Sequence, residues 1–496
     1  MRDEHARARA TARILTLLPL LLACDDRAMG PAVDRGEPLE FRADVVLGES
    51  VLLIEDLGPS LSAGSSEANA INDAKQITGW RTTDNAPYEA YIWAPPGQVT
   101  DLGTLAQWPY TSIGWDINEA GQVAGAAGNH AFRWSASGPM EQLAPLENSV
   151  TEVALALNNS GRAVGMASFW SGTLDYPARW LSPANPEFLE LPSPMVFTNA
   201  VADGTANDIN DHGAVVGVAF EGKAFYWRKF VGLRSNVSYV YTPLALPSGS
   251  TTGEANAIND SGVIVGWSNV QGWPRAVRWP NHTAAAEQLG TLGGSWSFAT
   301  DINDAGVVVG ASETTAGKKR AFRLAPFGYL EDLSVPNGAL SSEAHGISES
   351  GHIVGRAVFP NGDVHAVVWW HYTGAYILKA VVDFPAVIAT AGPDVLNLTI
   401  RSTRDLDASR IDPGTLMLGD GVGEDARILN IDGALAVDWR DVDRDGVLDL
   451  VATFDGDHLV RYELPRRTSQ ADLVLRGATL DRSSGVFARG VVRIQR

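Results

Sequence analysis

One phrase recurs seven times along the 496-residue chain: ANAINDAKQITG, GWDINEAGQVAG, ALALNNSGRAVG, ANDINDHGAVVG, ANAINDSGVIVG, ATDINDAGVVVG and AHGISESGHIVG. Its turn residue is Asn72, Asn118, Asn158, Asn210, Asn259, Asn303 and Ser348, at successive spacings of 46, 40, 52, 49, 44 and 45 residues. Self-similarity at such a period means one supersecondary unit repeated. Each unit is unable to bury its apolar face alone and stacks on its neighbours.

The phrase reads as a hairpin. Asn and Asp bond nearby backbone, and the Gly that follows takes positive φ at no steric cost. In the first copy Lys75 stands where the others have Gly, so strain is expected there. The run after the turn, such as Val307-Val308-Val309-Gly310, has the branched residues of a strand. A second phrase, AFRW or a variant, makes a third strand with Arg outward and Trp93, Trp134, Trp180, Trp227, Trp279, Leu324 or Trp369 inward. A short fourth strand is expected near Leu57, Leu102, Leu143, Leu191, Leu244, Leu289 and Leu333.

Four strands per period is a propeller blade. The fourth-strand signals begin before the first copy and none clearly follows the last. Val51 to Leu57 is therefore expected to complete the seventh blade and close the ring, which removes sheet edges; an open solenoid is the alternative. Four residues before each turn there is only Ala or Gly, as needed where seven strands converge on an axis. Two before it, Asp116, Asp208 and Asp301 stand in copies two, four and six. They make either local turn hydrogen bonds or an acidic ring around a cation.

The repeats end near residue 375. Residues 376–496 alternate short apolar runs with turns, which suggests a small antiparallel β-sandwich. The expected class is thus all-β, a seven-bladed β-propeller followed by that sandwich. The sandwich contains Asp441-Val442-Asp443-Arg444-Asp445-Gly446-Val447-Leu448-Asp449. Carboxylates at alternate positions around a Gly turn resemble the start of an EF-hand or dockerin-like calcium loop. The resemblance implies side-chain oxygens from Asp441, Asp443, Asp445 and Asp449 and the carbonyl of Val447. The twelfth position is Ala452, so a bidentate ligand must come from elsewhere, with Asp438 and Asp455 as candidates.

The formal net charge is −20, which excludes ordinary nucleic-acid binding, since phosphate recognition needs clustered Lys and Arg. The one cysteine, Cys24, excludes an internal disulfide and thiolate zinc sites. It follows four arginines and an apolar run, Ile14 to Ala23, of signal-peptide length. Leu21-Leu22-Ala23-Cys24 resembles the bacterial lipobox. That implies a signal peptide over 1–23, a lipid on Cys24, a tether over 24–50 and a place facing the periplasm or cell surface. A plain signal peptide with a chance cysteine is the alternative.

The repeat phrases resemble the HAF-type probable extracellular repeat of bacterial secreted proteins, over roughly residues 51–370. The resemblance implies a propeller-like exported protein and transfers no catalytic residue. No serine-hydrolase elbow, zincin helix, Walker loop or Rossmann fingerprint is present. His345, His352, His365 and His371 cluster in the seventh copy without metal spacing. The constant turns must share one face of a propeller and the variable loops the other. Those loops carry Trp80, Trp108, Trp170, Trp267, Trp273 and Trp296, candidate platforms for sugar rings or protein anchors. The expectation is a noncatalytic, lipid-anchored envelope protein that binds a glycan or a protein. A propeller hydrolase or lyase acting on polysaccharide and a structural envelope component are the alternatives.

Overall fold

The computed structural model describes residues 50–495 except 63, 84–87, 106–110, 170–174, 190–203, 220, 232–236, 327, 374–376, 386, 390–394, 404–405, 420–425, 429, 432–433, 445–446, 456–458 and 460–469. The signal segment, Cys24 and the tether lie outside the described residues. Two compact units emerge. One is residues 56–369, and the other joins the described residues before 56 to those from 370 onward. None of the helices among the described residues is long and apolar enough to cross a membrane.

The repeats form seven four-stranded sheets, one per copy of the phrase. In blade 5 the strands are Gly253–Ile258, Ile264–Val270, Trp273–Trp279 and Glu287–Gln288, paired in chain order. Blades 1 to 6 all follow that order. In the seventh, the outer strand is Ser50–Asp56, which pairs with Val364–Thr373. The ring is closed as expected, and the open solenoid is set aside.

The sequence dictates each layer. The AFRW tryptophans Trp93, Trp180, Trp227, Trp279 and Trp369 are fully buried between blades. Where an arginine precedes the inward residue it can pair directly across the sheet with a glutamate of the fourth strand: Arg133 with Glu141, Arg278 with Glu287 and Arg323 with Glu331. Just beyond the fourth strand a buried leucine donates its N–H to an alanine carbonyl of the third, as Leu143 does to Ala131 and Leu333 to Ala321. In blade 3 Leu189 does this, to the Pro177 carbonyl. The expected Leu191 lies outside the described residues.

One feature had no linear signal. Every first strand carries a register shift three residues before its turn, between Ala68 and Ala70 in blade 1 and between Ala299 and Asp301 in blade 6. The bulge presses the carbonyl of the residue two before it onto the last Gly of the phrase. A Cβ at Gly79 would collide with the Glu67 carbonyl, and one at Gly310 with that of Phe298. That is why the phrase ends in Gly.

The second unit is a sandwich. One sheet runs Val381–Asp383, Val395–Arg401, Asp449–Asp455 and Val437–Arg440. The other centres on Gln470–Ala478 and Gly485–Gln495. Leu398, Ile400, Leu450 and Phe454 of the first meet Leu418, Leu473 and Leu475 of the second in one core. The expectation of a purely antiparallel sandwich is corrected. Ile377–Lys379 and Val387–Ala389 both run parallel to Gly485–Gln495. Between them the chain crosses to the other sheet as Val381–Asp383, so it returns to the same edge in the same direction.

Candidate functional site

The propeller axis comes first, because acids converge there. Asp116, Asp208 and Asp301 do not dangle into the channel. In each, Oδ1 accepts the N–H of the next residue (Ile117, Ile209, Ile302) at 2.7–2.8 Å. Oδ2 accepts an N–H of the following blade (Leu157, Ile258, Ile347) at 2.8 Å. Each carboxylate is therefore a clamp between blades 2 and 3, 4 and 5, or 6 and 7. The facing residues are Ala156, Ala257 and Gly346, small enough to admit it. Burial pushes Asp116 and Asp301 up to about 6, against the pull of these N–H donors. Burial, with the charges of the other two, holds Asp208 well above the usual carboxylate range. By area each is only partly buried. Of the two readings of these aspartates, local hydrogen bonding is the one observed, extended across blades.

Two further rings of bonds hold the axis. The turn Asn of blades 1 to 6 sends Nδ2 to the turn carbonyl of the next, from Asn72 to Asn118 at 3.0 Å and on to Asn303 to Ser348 at 3.1 Å. The residue after it accepts the matching N–H of the previous blade, as Asp260 does from Asp211 and Asp304 from Asp260. This second ring crowds acids at one mouth of the channel. There Glu349 is pushed up to about 7, first by burial and then by Asp304, Asp301 and Asp73.

The opposite mouth carries the 2–3 hairpins. Trp108 and Trp170 lie outside the described residues. Trp80 is 8% exposed and packs edge-on against Tyr88 with centroids 4.9 Å apart, so it serves its own blade. Trp267 packs edge-on against Phe298 and donates to Glu254. Trp296 is partly buried with the Lys319 ammonium over its ring. Trp273 alone of the described four stands out, at 49% exposure. It closes a two-residue turn of Gln271 and Gly272, both at positive φ, which pushes its ring to the hairpin tip. Blade 3 adds an aromatic cluster without tryptophan. Phe169, Tyr176 and the 39% exposed Phe188 meet with centroids 5.0–6.1 Å apart. Its only linear signal is an aromatic at both strand ends of one hairpin.

The sandwich loop gathers carboxylates as the spacing predicts. Oxygens of Asp441, Asp443 and Asp449 lie within 4.8 Å of one another. Asp449 is buried and anchored, accepting Ser402 N–H at 2.8 Å and Val442 N–H at 2.9 Å. Arg401 reaches Asp443 at 3.3 Å and also pairs with Asp383. Asp445 and Gly446 lie outside the described residues, and Val447 is 46% exposed. Of the two reserve ligands, Asp455 is corrected. Asp455 ends the strand that Asp449 begins, about 20 Å away at strand rise. Asp438 is paired with Arg440 at 3.2 Å on an exposed surface, and its place as a ligand stays an expectation.

Comparison with known proteins corrects the family expectation as well. The family that matches, over residues 111–278, is "Protein of unknown function (DUF3466)", and no HAF repeat family is found. Among curated proteins, none matches the sequence. Solved structures that are similar include puromycin hydrolase, 13% identical with a TM-score of 0.42 over 70% of this chain. The match spans 60% of that enzyme, less than two thirds of its length. An oligogalacturonate lyase in complex with manganese is 12% identical, with a TM-score of 0.37 over 66% of this chain and 98% of that one. The WD40 domain of SCAP from fission yeast is 10% identical, with a TM-score of 0.32 over 82% and 99%. These neighbours have varied roles and transfer none.

Proposed function

We propose that the protein is a noncatalytic binding protein of the bacterial envelope, exported and held by a lipid on Cys24, that takes a glycan or a protein on the variable-loop face of its propeller. The observation that carries this reading is Trp273, a large apolar ring held half-exposed at a rigid hairpin tip. An exposed indole on a preformed turn offers a flat contact at low entropic cost. The acids of the channel support the same reading, because their oxygens are engaged in joining blades.

The test is a glycan-array and envelope-protein pull-down screen with the full chain and with Trp273→Ala, alongside a turnover assay on polysaccharides. A ligand whose affinity falls about tenfold or more in the variant supports the reading. Polysaccharide cleavage by the full chain, or a ligand indifferent to Trp273→Ala, overturns it. The anchor has its own test. Cys24→Ala releases the protein from the membrane fraction if acyl chains hold it, and unchanged retention refutes the anchor.

Calcium is the ion proposed for the sandwich loop. Oxygen-only donors with partial solvent access suit a hard cation of six to eight ligands. Asp441, Asp443 and Asp449 would hold it, with Asp445 and the Val447 carbonyl completing the loop. The donor set fits in charge and type, and the anchoring of Asp449 by two backbone N–H groups fixes one carboxylate in place beforehand.

A further inference from the structure

We infer that the propeller ring has one designated seam, between blades 7 and 1, and that a largely buried ion-pair latch centred on Arg356 holds it in place of the repeated amide bond.

Six junctions share the bond from a turn Asn Nδ2 to the next blade's turn carbonyl. At the seventh the donor position is Ser348, which has no amide to send. Its hydroxyl stays in its own turn, within 2.9 Å of the Ser350 hydroxyl and accepting His352 N–H at 3.2 Å. The neighbouring ring slips there as well. Elsewhere the residue next to the turn Asn donates, whereas at the seam Ser350 N–H reaches Asp73 at 2.7 Å. The aspartate clamps, present at three of the seven junctions, do not serve this one either, since its inner positions are Gly346 and Ala70.

Charged groups take over. Arg356 of blade 7 pairs with Glu343 at 2.7 Å in its own blade and with Glu67 of blade 1 at 3.2 Å. Lys319 of blade 6 reaches Glu343 at 2.8 Å. His345 meets the Ala68 carbonyl at 3.0 Å and lies 3.6 Å from Glu67. Glu343 is 7% and Glu67 12% exposed at the side chain, so solvent screens these pairs poorly. The Arg356 and Lys319 charges hold Glu343 below the usual carboxylate range in spite of its burial. Blade 7 is also where the chain's own closing strand attaches, with Asp56 receiving His365 at 3.0 Å. That strand runs on through residues 57–65 into Ser66–Ile71 of blade 1, so the chain itself crosses the seam there as it does between the other blades. Removing Arg356 leaves Glu343 to Lys319 alone and Glu67 with only His345 3.6 Å away in a poorly solvated site, a larger loss than that of an exposed pair.

Hydrogen exchange read by mass spectrometry on the full-length chain tests the seam. The inner strands Ser66–Ile71 and Ser341–Ile347 are expected to exchange faster than Thr205–Ile209 and Gly253–Ile258, whose junction Asp208 clamps. Arg356→Met should speed exchange at the seam by about tenfold and leave the blade 4 to 5 junction unchanged. Ser348→Asn, which restores the repeated amide, should slow it, and this variant carries the test should Arg356→Met fail to fold. Equal exchange round the wild-type ring, uniform acceleration in Arg356→Met, or a Ser348→Asn variant without slower seam exchange overturns the inference.

Discussion

Lys75 shows how much a single departure from the repeat reveals. The equivalent glycines sit at φ between 71° and 87°, and Lys75 is held at 61° by the same turn. A side chain in that region costs about 1–2 kcal/mol, of which Gly returns part through its larger unfolded entropy. Lys75→Gly should therefore raise stability by about 1 kcal/mol in urea denaturation; no gain would mean that the lysine side chain repays its strain in contacts. The channel aspartates make a second residue-scale prediction. A carboxyl raised in the folded state contributes stability that is complete below its unfolded value near 4 and is lost as pH climbs through its folded value. With Asp116 and Asp301 at about 6 and Asp208 also raised, the melting temperature should rise as pH falls from 7.5 to 5. Glu349, raised to about 7 beside Asp301, adds to the same slope. Glu343 and Glu187, lowered by their cationic partners, act oppositely at still lower pH, so stability should peak between the two windows. Replacing all three aspartates by Ala should lower stability overall and flatten the slope above pH 5. A slope untouched by that change would place the titration elsewhere.

At the scale of elements, the legible part was whatever repeats. Turn Asn and Gly, branched strands, inward Trp and outward Arg all follow from local chemistry that the copies repeat, with Asn, Gly and Trp each present in six of the seven. The bulge in each first strand was not legible, because its cause is a carbonyl pressed on a Gly four strand positions past the turn, a contact between strands. The inter-blade bonds of the Asn and Asp side chains were equally hidden, since their partners lie 40 to 52 residues away. In the sandwich the acidic loop was legible from spacing alone, whereas Asp455 as a reserve ligand was misjudged because sequence proximity ignores that Asp449–Asp455 is extended. The loop's prediction belongs at this scale. Calcium that binds only the folded form adds about 3 kcal/mol at a hundredfold excess over the dissociation constant. The full chain should show a transition that moves up in millimolar calcium relative to chelator. Asp443→Ala with Asp445→Ala should abolish the shift, and a transition indifferent to calcium leaves the loop an acidic turn tied by Arg401.

The whole molecule depends on a strand that the sequence places more than 300 residues from its partner. Ser50–Asp56 supplies the outer edge of the seventh sheet, and Leu57 continues the pairing by donating to the Ala366 carbonyl at 2.9 Å. Leu53 and Leu57 are both buried, at 2% and 1% exposure. Together they contribute about 3–6 kcal/mol of apolar burial, comparable to a whole domain's margin of stability. A chain lacking residues 1–58 forfeits that burial and also uncovers Val364–Thr373, ten residues rich in Val and aromatic side chains with a row of unpaired backbone groups. An edge of that length and composition is a template for pairing with another chain. The truncated protein should therefore aggregate at micromolar concentration in light scattering, whereas a chain beginning at residue 45 should stay monomeric. A peptide spanning residues 48–60, added in trans during refolding, should suppress the scattering by occupying the same edge. If the truncated chain is soluble and unfolds in one cooperative transition, the ring does not need the strand, and closure would rest on the inter-blade bonds at the axis alone.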